Sequence, residues 1–466
     1  MSQRNRIFFF AYIAVGVAML AAYLALDVRL ENDSRDEASL ESIAELADRS
    51  DLNVIFILVD TLRAGRLGSY GYERDTSTNI DKLAEDGIRF ANHISQSSWT
   101  KASMASLWTG LYPARTGVLR YQHAVSPDAQ LPAEILRDAG FRTAALWRNG
   151  WVAPNFGFSQ GFETYHRPQP KPIEATVRQE NPWIKLEGSD IDVIRSSSEF
   201  FRTHSRARFF LYLHLMDVHQ YLYDKESALF GTRYTDAYDN AIHTSDRLLG
   251  ALINDLESRG LRNKTIIVLA SDHGEAFGEH GREGHAKDVY TPTTHVPFII
   301  SLPFKLKEGL VIESRTANVD IWPTLLDLLG LPGLTDPDGR SLMDEIMAAS
   351  ESDSDPRDAD AIFAQIDQTW GRTEEAPRNV IAITQDGFRY IHRATHPERS
   401  ELYDLETDPR EERNIVSRMP KKADELRGKI EAYIESRDPP WGNETPTVEL
   451  GEMQLNQLRA LGYAID

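Results

Sequence analysis

Apolar runs of two lengths organise the chain. Residues 7–26 (IFFFAYIAVGVAMLAAYLAL) carry no charge, and a helix of that length, rising about 1.5 Å per residue, spans a bilayer core of roughly 30 Å. Shorter runs follow at residues 53–60 (NVIFILVD), 208–217 (RFFLYLHLMD), 265–272 (TIIVLASD) and 296–302 (VPFIISL). They are apolar without strict alternation and rich in β-branched or aromatic residues, the pattern of strands buried on both faces in a parallel sheet. Helix-compatible stretches separate them. The body is therefore expected to be α/β, a doubly wound, mostly parallel sheet with helices on both faces.

The long run is expected to be an uncleaved anchor, because the apolar part of a cleaved signal peptide is only about 7–15 residues. Arg4 and Arg6 precede it, while Asp27, Arg29, Glu31 and Asp33 follow. That Lys/Arg bias keeps the N-terminus in the cytoplasm and exports the rest. The expected organisation is residues 1–27 as a single-pass anchor, 28–51 as an acidic spacer, 52–348 as the main, extracytoplasmic domain, and 349–466 as a small C-terminal α+β subdomain with a helical tail. Residues 320–330 read as an amphipathic helix closed by Gly330, residues 349–360 as a polar linker, and residues 380–384 and 388–391 as short strands. In residues 449–463 apolar side chains recur at helical spacing, which suits docking on the body.

Charge narrows the partners. With 51 Lys+Arg against 71 Asp+Glu the formal net charge is -20, a surface that repels nucleic acid, so no nucleic-acid partner is expected. An anionic substrate needs a local source of positive potential, and a bound cation is the obvious one. The chain has no cysteine, which excludes disulfides, thiolate nucleophiles and thiolate metal sites and leaves His and carboxylate as the metal ligands.

Three of the apolar runs end in aspartate: Asp60, Asp217 and Asp272. In open α/β sheets ligands bind outside the carboxyl ends of the strands, so three carboxylates delivered there point to a site. The strongest local signal is Ser271-Asp-His-Gly-Glu275, in which a strand carries an adjacent carboxylate and imidazole into a turn; both suit Zn, Mn or Mg. Around Thr100 runs Ser98-Trp-Thr-Lys-Ala-Ser-Met-Ala-Ser-Leu-Trp-Thr-Gly110, a hydroxyl-rich entry to a helix. A hydroxyl there serves as an N-cap, or as a nucleophile whose alkoxide the helix dipole and a cation stabilise.

At these residues the chain resembles the sulfatase-like branch of the alkaline phosphatase superfamily. The likeness is carried by Asn53 through Arg63 with Leu67-Gly-Ser-Tyr-Gly-Tyr72, Thr100 through Thr109-Gly-Leu-Tyr-Pro113, Gly157-Phe-Ser-Gln-Gly-Phe162 and Leu213-His-Leu-Met-Asp-Val-His219. It continues in Ser271-Asp-His-Gly274, Val319-Asp-Ile-Trp-Pro-Thr-Leu-Leu326 and Glu401-Leu-Tyr-Asp-Leu-Glu-Thr-Asp-Pro409. The resemblance implies a metal held by Asp60, Asp272 and His273, with Thr100 as nucleophile and metal-facing hydroxyl and Arg63 nearby as a candidate substrate ligand. It implies a threonyl ester of phosphorus or sulfur that water or an acceptor alcohol resolves.

The departures from that pattern shape the expected chemistry. Sulfatases of this family place Cys or Ser at the Thr100 position, followed by x-Pro-x-Arg, and convert it to formylglycine. Here Ala102 replaces the Pro and Met104 the Arg, and threonine, with a methyl on its β-carbon, cannot give that aldehyde. Thr100 is instead similar to the nucleophile of relatives that move phosphoethanolamine or phosphoglycerol headgroups. The expected substrate is an anionic phosphate or sulfate ester of a lipid headgroup or glycan. Thr61 stands where an Asp usually follows the first ligand. Zn or Mn therefore suits the site better than Ca or Mg, since His273 supplies nitrogen.

Asp217 and His219, two apart on an extended segment, share a face. With His285 they are candidates for contacts to the substrate or for a second metal, His219 and His285 as catalytic groups and Asp217 as a substrate ligand. Lys101 and Asn149 are further candidates for the substrate's anion, and His280 and His295 read as surface or packing residues. Two other readings of the chain stay open: a sulfatase using unmodified threonine, and a non-catalytic binding or regulatory member of the fold.

Overall fold

The computed structural model describes residues 33–181, 184, 187–349, 360–436, 438–442, 444–459 and 465. Its centre is an eight-stranded sheet. In chain order the strands are β1 (Asn53–Val59), β2 (Ile88–Ile94), β3 (Arg142–Leu146), β4 (Thr164–His166), β5 (Phe209–Leu215), β6 (Thr265–Ala270), β7 (Phe298–Ser301) and β8 (Leu310–Ala317). Their order across the sheet is β8-β2-β7-β6-β1-β5-β3-β4. Every pairing is parallel except those of β7, which runs antiparallel to both β6 and β2. The 296–302 run is therefore a strand, as its composition predicts, but of opposite sense.

The unbroken apolar character of β1 has a simple cause: both faces are covered. Val54, Phe56 and Leu58 enter one hydrophobic cluster, and Ile55, Ile57 and Val59 enter another on the opposite side. The first side is packed by α2 (Thr100–Thr109) and α5 (Asn318–Leu328), through Leu107, Trp108, Trp322 and Leu325. The second is packed by α1 (Thr78–Glu85), α3 (Asp190–His204) and α4 (Tyr234–Ser258), through Leu83, Phe201, Tyr238 and Leu249. This is the doubly wound arrangement, and burial of each large side chain contributes about 1.5–3 kcal/mol.

Beyond residue 360 a four-stranded antiparallel sheet, β9 (Ile362–Asp367), β10 (Asn379–Gln385), β11 (Phe388–Arg393) and β12 (Glu401–Asp404), is backed by α6 (Pro420–Glu435) through Leu426 and Ile430. The tail helix α7 (Glu452–Arg459) docks on the body through Leu458. Residues 33–51, within the acidic segment, also pack on the body: Ile43 and Leu46 are buried, and Glu37–Ala38 pairs with Lys305–Leu306. Among the described residues no helix is long and apolar enough to cross a membrane. The expected anchor at residues 7–26, and the part of the polar linker at 350–359, lie outside the described residues.

Candidate functional site

The carboxyl ends of β1, β3, β5 and β6 meet at one edge of the sheet, where Asp60, Asn149, His214 and the Asp272-His273 pair are delivered. The turn after β1 is held in an unusual conformation. Thr61 has φ 62°, a left-handed geometry that costs a non-glycine residue about 1–3 kcal/mol. It is fixed by Thr61 Oγ1 donating to Asp60 O (2.6 Å) and by Tyr238 OH donating to Thr61 O (2.6 Å). The result is that Thr61 N–H points at Asp272 Oδ1 (3.1 Å). Ser271 Oγ ties the second turn to the first, accepting from Leu62 N (2.9 Å) and donating to His273 O (2.9 Å).

One ligand atom from each of Asp60, Asp272 and His273 lies within 4.8 Å of the others, and all three residues are buried. Asp60 Oδ2 accepts from Asn149 Nδ2 (2.5 Å) and from His214 Nε2 (3.0 Å). Asp272 Oδ1 accepts from Thr61 N and from His273 N (3.0 Å). Their other oxygens, Asp60 Oδ1 and Asp272 Oδ2, are buried with no hydrogen-bond partner. They face His273 Nε2 at 3.9 and 3.3 Å. An unsatisfied buried carboxylate oxygen is costly, and two of them beside an imidazole nitrogen fit a divalent cation of the Mn or Zn class.

Thr100 opens α2 and is 0% exposed. Its Oγ1 lies 3.1 Å from His273 Nε2 and 3.4 Å from Asn149 Nδ2. Asn149 keeps its orientation because its Oδ1 accepts from Trp151 N (2.8 Å). The outer part of the site is imidazole: the His285 ring lies 4.5 Å from that of His273 and 5.0 Å from that of His219, centroid to centroid. His285 Nδ1 is 3.1 Å from the buried Glu275 carboxylate.

Burial works to raise the Asp60 carboxyl, yet the charges of His219, His214 and His273 and the hydrogen bond from His214 hold it well below the usual range. Burial and the charge of Asp60 push Asp272 up. Burial lowers His219 to about 4. Burial also opposes protonation of His285, but Glu275 more than compensates and raises it above the ordinary imidazole value. The two outer histidines are thus driven apart, His219 downward and His285 upward, the division of labour that acid-base chemistry uses.

Three candidates lie elsewhere. Lys101 turns away from the site: its Nζ donates to the carbonyls of Tyr121 and His123 and sits 3.7 Å from the centroid of Phe156. Burial pushes its pKa well down. Asp217 is not beside His219 but inside a buried ion cluster, bonded by Arg148 Nη1, Ser189 Oγ (2.6 Å) and Asp190 N (2.9 Å). β5 ends at Leu215, and past it the chain turns, with Leu222 N donating to Asp217 O (2.8 Å), so the two-residue alternation no longer applies. Arg63 stays at the rim, bonded to Glu275 O (3.0 Å) and Glu279 Oε1 (2.7 Å). His280 stacks on Tyr290 and His295 bonds Ala91 O, both in packing roles. Two site residues carry no assignment from the sequence: His214, whose Nδ1 lies 2.6 Å from Tyr212 OH, and Glu275. The available signals were a Tyr and a His two apart in an otherwise apolar strand, and the carboxylate closing the Ser271 to Glu275 motif.

Known proteins resemble the chain over most of its length. Residues 52–331 match the family model described as Sulfatase, and residues 278–437 match the one described as N-sulphoglucosamine sulphohydrolase, C-terminal. The chain is similar to an ulvan-active sulfatase of Formosa agariphila, with 23% identity over 432 residues, 84% of this chain and 82% of the relative. It is similar to an N-acetylgalactosamine-6-O-sulfatase of Bacteroides thetaiotaomicron, with 25% identity over 484 residues, 82% of this chain and 92% of the relative. In fold it is similar to a 2-O GAG sulfatase (TM-score 0.66, 19% identity, 85% of this chain and 98% of that one). A phosphonate monoester hydrolase of Agrobacterium radiobacter shares the fold as well (TM-score 0.64, 19% identity, 83% of this chain and 95% of that one).

Proposed function

The chain belongs to the sulfatase family, and on that premise we propose that it hydrolyses anionic sulfate or phosphate esters through an unmodified Thr100. One observation carries this reading: a buried hydroxyl at a helix start is hydrogen-bonded to His273 Nε2, beside the two carboxylate oxygens that lack partners.

The residues divide the work as follows. Asn149 donates to Thr100 Oγ1 and so holds the hydroxyl oxygen beside the ligand cluster, where His273 Nε2 is reserved for the cation. Asp60, Asp272 and His273 would hold the divalent cation, Mn or Zn by the donor set, and when bound it supplies positive charge for the oxyanions of the reaction. Attack of Thr100 Oγ1 forms a new bond to sulfur or phosphorus as its proton passes to His219, the histidine that burial keeps neutral. The ester oxygen departs, taking a proton from His285, whose protonated form Glu275 favours. Water then gives a proton to His285 and its oxygen to sulfur or phosphorus as the bond to Thr100 Oγ1 breaks, and Thr100 recovers its proton from His219, which closes the cycle.

The names of the relatives support a sulfated glycan as substrate, and the threonine supports a phosphate or phosphonate ester. A panel of aryl sulfate, sulfated sugars, phosphate mono- and diesters and a phosphonate monoester, each with Mn or Zn, separates them. Peptide mass spectrometry of the quenched reaction is expected to find the sulfo or phospho group on Thr100. A modified residue elsewhere, or turnover by Thr100→Ala at the wild-type rate, refutes the proposal. The uncharged run at residues 7–26 supports tethering at the outer face of a membrane. Protease added to intact cells is then expected to digest the main domain.

A further inference from the structure

Beneath the ligand turn lies a polar chain that no step above uses. His93 (β2), Ser103 (α2), Thr316 (β8) and Asn318 (start of α5) are each 0% exposed. They come from four elements and from positions far apart in sequence. Thr316 Oγ1 lies 2.8 Å from His93 Nδ1, and His93 Nε2 lies 2.9 Å from Asn318 Oδ1. Asn318 Nδ2 donates to Ser271 O (3.2 Å) and to Ser103 Oγ (3.4 Å), and Ser103 Oγ donates to Asp272 O (2.5 Å).

The chemistry of the groups sets one direction along this chain. The amide oxygen of Asn318 only accepts, so His93 Nε2 carries the ring proton; a neutral His93 then accepts at Nδ1 from the Thr316 hydroxyl. Neutrality is secured by burial, which lowers His93 to about 3. With its oxygen committed to His93, Asn318 has only its NH₂ left to present to Ser271 O and Ser103, and Ser103 can only pass its own proton to Asp272 O. The ladder of β6 ends at Ala270, paired with Leu58 on one side and Phe298 on the other. The carbonyls of Ser271 and Asp272 are therefore the first beyond the sheet, and these side chains are what satisfies them.

We propose that His93 and Asn318, with Thr316 and Ser103, are positioning residues that set the cation affinity of the site by fixing the backbone that carries Asp272 and His273. The proposal rests on the reading that Asp60, Asp272 and His273 hold a divalent cation. Supporting residues of this kind change metal affinity by about 10–100-fold when removed.

The test is calorimetric titration of the full chain with Mn²⁺ alone, with thermal melting to establish folding. Asn318→Asp keeps the shape but replaces the NH₂ donor by a carboxylate oxygen facing Ser271 O, and is expected to weaken Mn²⁺ binding by about 10–100-fold. Thr316→Val is isosteric and leaves buried His93 Nδ1 without its donor, which loosens the ring that holds Asn318; a loss of about 3–10-fold is expected. Thr316→Ser, which keeps the hydroxyl, is expected to stay within about twofold of wild type. Thr316→Val decides the matter alone if Asn318→Asp does not fold. A folded Asn318→Asp or Thr316→Val protein that binds Mn²⁺ as wild type does overturns this inference and leaves the cation site standing. A wild-type protein that binds no Mn²⁺ overturns both.

Discussion

Replacing Asp272 by Asn should reverse the order of stability of variant and wild type between cation-free and cation-loaded protein. Without a cation, wild type holds two carboxylates whose ligand atoms lie within 4.8 Å of each other. Two full charges at that distance would repel by roughly 3–4 kcal/mol at an effective dielectric near 20. Burial and the charge of Asp60 accordingly raise the Asp272 carboxyl. The neutral amide of the Asp272→Asn variant removes that repulsion. Its oxygen still accepts from Thr61 N and His273 N, and its NH₂ occupies the position of Oδ2, 3.3 Å from His273 Nε2. In EDTA the variant is expected to equal or exceed wild type by ~1 kcal/mol in urea unfolding followed by tryptophan fluorescence. With a cation at about 100 times its dissociation constant, wild type gains about 2.7 kcal/mol, whereas the variant, having lost an anionic ligand, gains little. A variant that is less stable than wild type in EDTA yet gains as much from Mn²⁺ would sink the assignment of these oxygens as ligands.

Other substitutions separate the roles assigned above. Thr100→Ala should lower kcat by at least ~10³-fold while Mn²⁺ affinity stays within a few-fold, and Thr100→Ser should retain measurable turnover; steady-state kinetics with calorimetry reads both. Lys101→Met should leave kcat near wild type and change stability by about 1–3 kcal/mol, because the ammonium faces two carbonyls and an aromatic ring and not the site. A large fall in kcat with unchanged melting would return Lys101 to the chemistry. Asp217 is raised from 3.8 to about 7 by burial and by Asp190. The folded protein then binds more protons than the unfolded chain between about pH 4 and pH 7, and wild-type stability falls as pH rises through that window. Asp217→Asn removes this dependence, so its stability relative to wild type should improve by up to ~1.4 kcal/mol per pH unit from pH 5 to 7, measured by denaturation at each pH. A gap that does not move with pH would show that Asp217 is ionised throughout.

How much of this was legible in the sequence depended on how local the cause was. β1, β5 and β6 were readable because both faces of each are buried, so nearly every residue is apolar. β2 was not, since Arg89, Asn92 and His93 interrupt its apolar run. The reversed sense of β7 is set by the route of the chain through residues 273–297, which no property of the strand's own sequence records. In the site, Asp60, Thr100, Asp272 and His273 sit in the short motifs that carry the family resemblance, and that resemblance is what grouped them. Lys101 was misplaced because a lysine in the first turn of a helix is ordinarily solvated. The rings that bury it, Trp99, Trp151 and Phe156, are brought there by the fold. His214 was passed over because it occupies the face of β5 that Phe210 and Tyr212 give to the core, and only the register with β1 brings it to Asp60.

The charges around Thr100 bear on how an anion is bound at all. Arg63 is committed to Glu279, Arg148 to Asp190 and Asp217, and Lys101 to backbone carbonyls, while Met104 is apolar and buried. Against these stand three buried carboxylates, Asp60, Asp272 and Glu275, which by themselves would repel a sulfate or phosphate. The negative charge a substrate meets is therefore offset only when a divalent cation joins a protonated His285. Cation and substrate affinities are then linked: each ligand strengthens the other by the same factor. The polar chain from Thr316 to Asp272, remote from any substrate contact, would act on substrate binding through that factor alone.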